Sequence, residues 1–128
     1  MWDRRAEFII EKFHPKTVLD VGCAYGELVK ALVDRGIDAY GIDGSDFAIS
    51  KSDPQIRNRL FKVNLNSDKF PFEDKMFDVV GSFYSVEHIH NIDFFSAELP
   101  SGTIFPNISC PRMKQILEKP KKKSRLIF

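Results

Sequence analysis

Thr17-Val-Leu-Asp-Val-Gly-Cys-Ala-Tyr-Gly26 is the stretch whose reading decides the fold. Thr17, Val18, Leu19 and Val21 make a short, mostly β-branched run broken by one acid, Asp20, and Gly22 and Gly26 then turn the chain into a helical pattern. A strand followed by a glycine turn and a helix aims backbone N–H groups into a crevice at the strand's carboxyl end, a geometry suited to a nucleotide.

Downstream, Leu28, Val29, Leu32 and Val33 recur at helical spacing, which predicts a helix over residues 25–35 with Gly36 as its stop. Residues 37–42 read as a second strand with Asp43 at its end. Strand, helix and strand in that order imply a right-handed crossover and a parallel pair. Upstream, Trp2, Ala6, Ile9, Ile10 and Phe13 fall on one face of an amphipathic helix that His14–Pro15 ends.

Further along, Ser45 suits the N-cap of a short helix containing Phe47, Ala48 and Ile49. Residues 59–63 look like a third strand and 64–75 like a connection. Residues 77–83 read as a fourth strand with Val79 and Val80 inside, and with Gly81–Ser82 small enough to admit a ligand or another backbone. A helical patch follows His90 and ends near Leu99. Residues 103–109 are a candidate fifth strand, which Pro106 keeps from a central place. The expected class is α/β: a Rossmann-like, doubly wound, mainly parallel sheet with helices on both faces.

The 128 residues suit one domain with one core. With 43% hydrophobic residues and twelve Phe, disorder throughout is excluded. The net charge of +1 hides a basic end: from Pro111 onward there are seven Lys and Arg against one Glu. That divides the chain into a domain over 1–110 and a tail over 111–128. A Lys-rich tail is most often a solvated end, so it points to no nucleic-acid partner. Cys23 and Cys110 lack metal-ligand spacing, no metal site is expected, and reduced thiols in a cytoplasmic protein are the default. No apolar run approaches the roughly 18 residues that span a bilayer, so no membrane partner is expected.

Taken together, the glycine turn, Tyr40-Gly-Ile-Asp-Gly-Ser45 and Phe77-Asp-Val-Val80 resemble the class I methyltransferases that use S-adenosyl-L-methionine, especially their small-molecule branch. The resemblance implies S-adenosyl-L-methionine as cofactor. Asp20 would accept from its amino group directly or through water, and the main chain at Gly22, Cys23 and Gly26 would pass close to its methionine and ribose portions. Asp43, about 20 residues past the turn, would accept the ribose hydroxyls, with Gly44 leaving room for the adenosine.

The family usually meets the adenine with an acid beyond the third strand. The match here is Asn64–Leu65, where Asn keeps an acceptor but loses the charge, and Asp68 is the rival. Residues 70–80 running into Ser85-Val-Glu-His-Ile89 look like the family's segment before the methyl-transfer site. Phe83 and Tyr84 would lie near the reactive centre, and Glu87 or His88 would position a nucleophile. No catalytic residue is assigned, since in-line methyl transfer draws its rate chiefly from alignment.

The resemblance covers residues 5–99 and then fades. Glu98–Leu99 is followed at once by Pro100, where the family continues with further strands. The sequence therefore leaves two readings open: methyl transfer to a small-molecule acceptor, or a shortened, degenerate relative that binds the cofactor feebly or acts as an interaction module. An exposed sheet edge would favour pairing with a second copy. A nicotinamide-dependent dehydrogenase is disfavoured, because its fingerprint wants glycine at the first, third and sixth turn positions, here Gly22, Ala24 and Glu27.

Overall fold

The computed structural model describes residues 2–72, 76–83, 89–98 and 103–104. In chain order these form α1 (Trp2–Phe13), β1 (Thr17–Val21), α2 (Glu27–Asp34), β2 (Asp38–Asp43), α3 (Asp46–Ser50), a 3₁₀ turn (Arg57–Arg59), β3 (Leu60–Lys62), β4 (Val79–Ser82), α4 (Ile92–Glu98) and β5 (Thr103–Ile104). The sheet runs β3-β2-β1-β4-β5, and all four pairings are parallel. Strand order reverses at β1, which has β2 on one side and β4 on the other. In such sheets the ligand crevice opens beyond the carboxyl ends at this point.

Side-chain alternation along the strands divides the interior into two layers. Val18, Ala39 and Val79 face Ala6 and Ile9 of α1 and Leu28 and Leu32 of α2. Leu19, Val21, Ile42 and Val80 face the other way, against Phe70, Phe77, Ile89 and Phe95. Burial on both faces is why β1 reads as a nearly continuous apolar run, as parallel strands do. Asp20 alternates onto the α1 and α2 side and is buried.

The helix expected over 25–35 begins later, at Glu27. Gly26 takes φ +76° and its N–H bonds the Cys23 carbonyl at 2.8 Å, so the turn closes before any helical bond forms. At the other end the N–H groups of Gly36 and Ile37 donate to Val33 and Leu32, both at 3.0 Å, with Gly36 at φ +83°. That pair of bonds is a Schellman stop. His14, ahead of Pro15, leaves the helix through the left-handed region at φ +47°.

Ser45 caps α3 as expected, its hydroxyl accepting from the Ala48 N–H at 3.1 Å. The third strand is shorter than residues 59–63 because the 3₁₀ turn takes up Arg57–Arg59. The fourth starts at Val79 because Asp78 is otherwise engaged. Its carboxylate accepts from the N–H groups of Lys16 at 2.7 Å and Thr17 at 3.3 Å. In return the Asp78 N–H donates to the Thr17 hydroxyl at 2.9 Å.

Gly81 does not admit a ligand or another backbone. A Cβ there would fall 2.8 Å from Cε2 of Phe83, so the space belongs to that ring. Phe70 and Phe72 pack on the sheet as structural residues. The fifth strand is described only over Thr103–Ile104, beside β4. The rest of 103–109, Cys110 and the tail over 111–128 lie outside the described residues.

Candidate functional site

At the tip of β2 the Asp43 carboxylate accepts from two backbone N–H groups, Ala24 in the glycine turn and Ser45 ahead of α3, each at 2.8 Å. Gly22 and Cys23 donate in turn to the Ile42 carbonyl, at 2.8 and 3.0 Å. These bonds hold the first and second strand tips together. They also fix the turn in left-handed backbone at Gly22 (φ +81°) and Ala24 (φ +50°). Each Asp43 oxygen keeps a further lone pair for an outside donor.

A cavity of about 780 Å³ opens beside this arrangement. The glycine turn lines it through Gly22, Cys23 and Ala24, and the tip of β2 through Asp43, Gly44 and Ser45. Lys62, Asn64, Leu65 and Asn66 also border it, as do Trp2, Phe83 and Ile89. Of the nine cofactor positions expected from the sequence, the structure gathers Gly22, Cys23, Asp43, Gly44, Asn64, Leu65 and Phe83 around one space. Gly26 is not among them. A Cβ there would lie 2.7 and 2.8 Å from the methyl ends of Leu60 and Ile56, so this glycine lets α2 close onto the sheet.

Asp20 sits behind the turn rather than in the cavity wall. It is 2% exposed, and its Oδ1 is buried with no hydrogen-bond partner among the described residues. Burial pushes its pKa up to about 7; the charge of Asp43 adds to the rise and that of Arg5 opposes it. Burial and the same two acids push the Cys23 thiol up, so it stays protonated.

Against this geometry stand the comparisons with known proteins. A family profile described as a methyltransferase domain matches residues 2–100. The chain belongs to the methyltransferase domain family. A ubiquinone biosynthesis O-methyltransferase of Rickettsia felis is 32% identical over 112 residues, covering 80% of this chain and 46% of its own length. A sterol 4-C-methyltransferase of Caenorhabditis elegans is 30% identical over 91 residues, 63% of this chain and 26% of that protein. The chain thus spans less than half the length of these curated relatives.

Among solved structures, an amino pentose methyltransferase from Micromonospora echinaspora with S-adenosyl-L-methionine bound superposes with a TM-score of 0.65 at 18% identity, over 87% of this chain and 52% of that one. An O-methyltransferase from a Brevibacillus brevis multienzyme, in complex with S-adenosyl-L-homocysteine, gives 0.64 at 19% identity, over 79% and 37%. At those identities the likeness establishes the fold: the methyltransferase domain is a Rossmann-like parallel sheet.

Several residues of this methyltransferase domain site escape a sequence reading. Ala24 contributes a backbone N–H, which no side-chain pattern advertises. Asn66 looks like any loop asparagine, yet its Oδ1 accepts from the N–H groups of His90 at 2.6 Å and Asn91 at 2.8 Å. It thereby ties the loop after β3 to the start of α4. Lys62 borders the cavity while its Nζ pairs with Asp46 at 2.8 Å.

Of the two residues weighed for the adenine end, Asn64 faces the cavity. Asp68 instead accepts from the Asn64 N–H at 2.8 Å. Tyr84, Glu87 and His88 lie outside the described residues. Among the described residues no cluster of His, Cys, Asp or Glu suits a metal ion, and no helix is long and apolar enough to cross a membrane.

Proposed function

We propose that this methyltransferase domain binds S-adenosyl-L-methionine in the cavity beside Asp43 and transfers its methyl group to a small-molecule acceptor, with oxygen as the expected nucleophile. The observation that carries the reading is the Asp43 carboxylate. It is locked by the Ala24 and Ser45 N–H groups, and it borders a cavity that one strand tip, one glycine turn and one polar loop close together.

In the proposed arrangement the free lone pairs of Asp43 take the two ribose hydroxyls. Asn64 and the Leu65 backbone meet the adenine. Gly22, Cys23 and Ala24 let the main chain lie against the methionine portion, whose ammonium bonds Asp20, behind the turn, through water. Phe83 and Trp2 wall the methyl end. The cofactor supplies an activated methyl: an acceptor lone pair forms the new bond to carbon as the carbon–sulfur pair returns to sulfur, leaving S-adenosyl-L-homocysteine. The acceptor's proton passes to water or to a base. What the chain contributes is alignment and exclusion of water.

The names of the relatives, a ubiquinone biosynthesis O-methyltransferase and a sterol 4-C-methyltransferase, favour small acceptors. A cytoplasmic setting, a domain over residues 1–110 with a basic tail, and pairing of copies through a sheet edge belong to the same proposal. The reading as a feeble binder or interaction module is favoured by one observation. Asn64 stands where the family carries an acid, and its Oδ1 is already engaged by the Asn66 N–H at 3.0 Å.

Calorimetric titration of S-adenosyl-L-methionine and S-adenosyl-L-homocysteine into the purified chain tests the proposal. Micromolar binding that falls about a hundredfold in Asp43→Ala supports it, since two hydrogen bonds to a charged acceptor are lost. A folded chain that gives no heat with either compound excludes it. Formation of S-adenosyl-L-homocysteine with catechol as acceptor then separates the enzyme from the feeble binder.

A further inference from the structure

We infer that the part of the cavity bordered by Lys62, Asn64 and Asn66 meets the purine of its ligand with hydrogen-bond donors, so that the site takes a 6-oxopurine nucleoside at least as well as a 6-aminopurine one. This rests on the cofactor reading above and refines it.

Asp43 and Lys62 are register partners on β2 and β3, and the Val63 N–H donates to the Asp43 carbonyl at 2.9 Å. The loop that follows β3 therefore leaves the sheet beside the carboxylate proposed to hold the ribose, which puts the attached base against this loop. Three polar side chains of the stretch border the cavity: Lys62, Asn64 and Asn66.

Both asparagines have committed their oxygens to the protein. Asn64 Oδ1 accepts from the Asn66 N–H at 3.0 Å. Asn66 Oδ1 accepts from the N–H groups of His90 at 2.6 Å and Asn91 at 2.8 Å, which uses both of its lone pairs. These donors also fix which branch of each amide is the oxygen, because an amide turned over would set NH2 against N–H. The Asn64 backbone is occupied too: its N–H donates to the Asp68 carboxylate at 2.8 Å, and its carbonyl accepts from Ser67 at 3.1 Å and Asp68 at 2.8 Å. One lone pair of Asn64 Oδ1 remains, on the branch held against its own loop. Left to meet a ligand are the NH2 branches of the two amides and the ammonium hydrogens of Lys62 that its bond to Asp46 does not use.

An asparagine ordinarily recognises adenine with both branches, the oxygen taking the 6-amino group while the NH2 meets N7. Here the first half of that pattern is blocked at both residues. A 6-oxopurine instead presents two adjoining acceptors, O6 and N7, which suit an ammonium and an amide NH2. An adenine in the same place brings its amino group up against donors, and only its ring nitrogens are served. Asn64→Asp reverses the chemistry on the same scaffold: one carboxylate oxygen still accepts from the Asn66 N–H, and the other puts an acceptor where the NH2 was.

The test titrates S-adenosyl-L-homocysteine and its deaminated counterpart, S-inosyl-L-homocysteine, calorimetrically into wild type and Asn64→Asp. Wild type should bind the inosyl compound at least as tightly as the adenosyl one. In Asn64→Asp the ratio of the two dissociation constants should swing about tenfold or more toward the adenosyl compound, the effect of exchanging one donor for a charged acceptor. A wild-type preference for the adenosyl compound of more than about threefold overturns the inference, as does a ratio that Asn64→Asp leaves within about threefold of wild type. The cofactor reading survives either result, because the adenosyl compound still binds. If wild type binds neither compound, the cofactor reading falls and this inference with it. Should Asn64→Asp not fold, Asn66→Asp makes the same exchange at the neighbouring amide and is judged by the same ratio.

Discussion

A carboxylate enclosed at the centre of a parallel sheet costs free energy in its charged form, and Asp20 meets that cost by holding a proton up to about pH 7. Between about pH 4 and 7 the folded chain keeps a proton that the unfolded chain has released, so stability falls as pH rises through that window. Asp20→Asn removes the penalty. In the ligand-free protein it should raise stability at pH 8 by roughly 2–4 kcal/mol more than at pH 4, while weakening cofactor binding. Urea denaturation at the two pH values measures this; equal gains at both would contradict it.

Asp78 illustrates the opposite use of an acid. In the sequence it belongs to the Phe77-Asp-Val-Val80 motif that suggests the cofactor family, yet among the described residues its carboxylate accepts from backbone N–H groups at the start of β1. Asp78→Ala should cost about 0.5–1.5 kcal/mol of unfolding free energy, because the freed donors exchange the carboxylate for water. Affinity for S-adenosyl-L-homocysteine at neutral pH should stay within about twofold. A matched pair of denaturation and binding experiments separates it from Asp43→Ala.

Among the elements, α2 shows how a turn governs a helix. Gly26 stands at its N-cap in left-handed backbone with no room for a Cβ against Leu60 and Ile56. Gly26→Ala combines an unfavourable φ with overpacking and should destabilise by about 2–4 kcal/mol, read from the denaturation midpoint. At α3 the Ser45 cap is worth less. Ser45→Ala should cost about 1 kcal/mol, because only the bond to the Ala48 N–H is lost. The first helix is amphipathic by its own spacing, but its position against Val18 and Val79 is what brings Trp2 to the cavity.

At the scale of the whole molecule, stability resides in the two apolar layers rather than in the ion pairs. Arg35 with Asp3 and Glu7, Arg59 with Asp38, and Lys62 with Asp46 all lie at the surface. Such pairs contribute about 0–1 kcal/mol each, so raising salt should shift the unfolding midpoint little. Phe95, fully buried in the layer opposite α1 and α2, should cost about 3–5 kcal/mol as Phe95→Ala. Ligand linkage acts on the molecule as a whole. S-adenosyl-L-homocysteine at a hundred times its dissociation constant should add about 2.7 kcal/mol to unfolding, visible as a raised thermal midpoint.

The sequence by itself determined the order of elements, the parallel pairing, and the two strand tips that carry Asp20 and Asp43. Those follow from local rules: apolar periodicity, a proline or glycine stop, a serine cap, and a crossover of fixed hand. Only the tertiary structure decided what each acid and glycine does. Asp43 earns its place through N–H groups of Ala24 and Ser45, Asp78 serves a strand start, and Gly26 and Gly81 yield space to Leu60 and Phe83. The reason is physical. Secondary structure is set by neighbours in sequence, whereas the ionisation of a buried group and the room beside a glycine are set by whichever distant side chain the packing brings near.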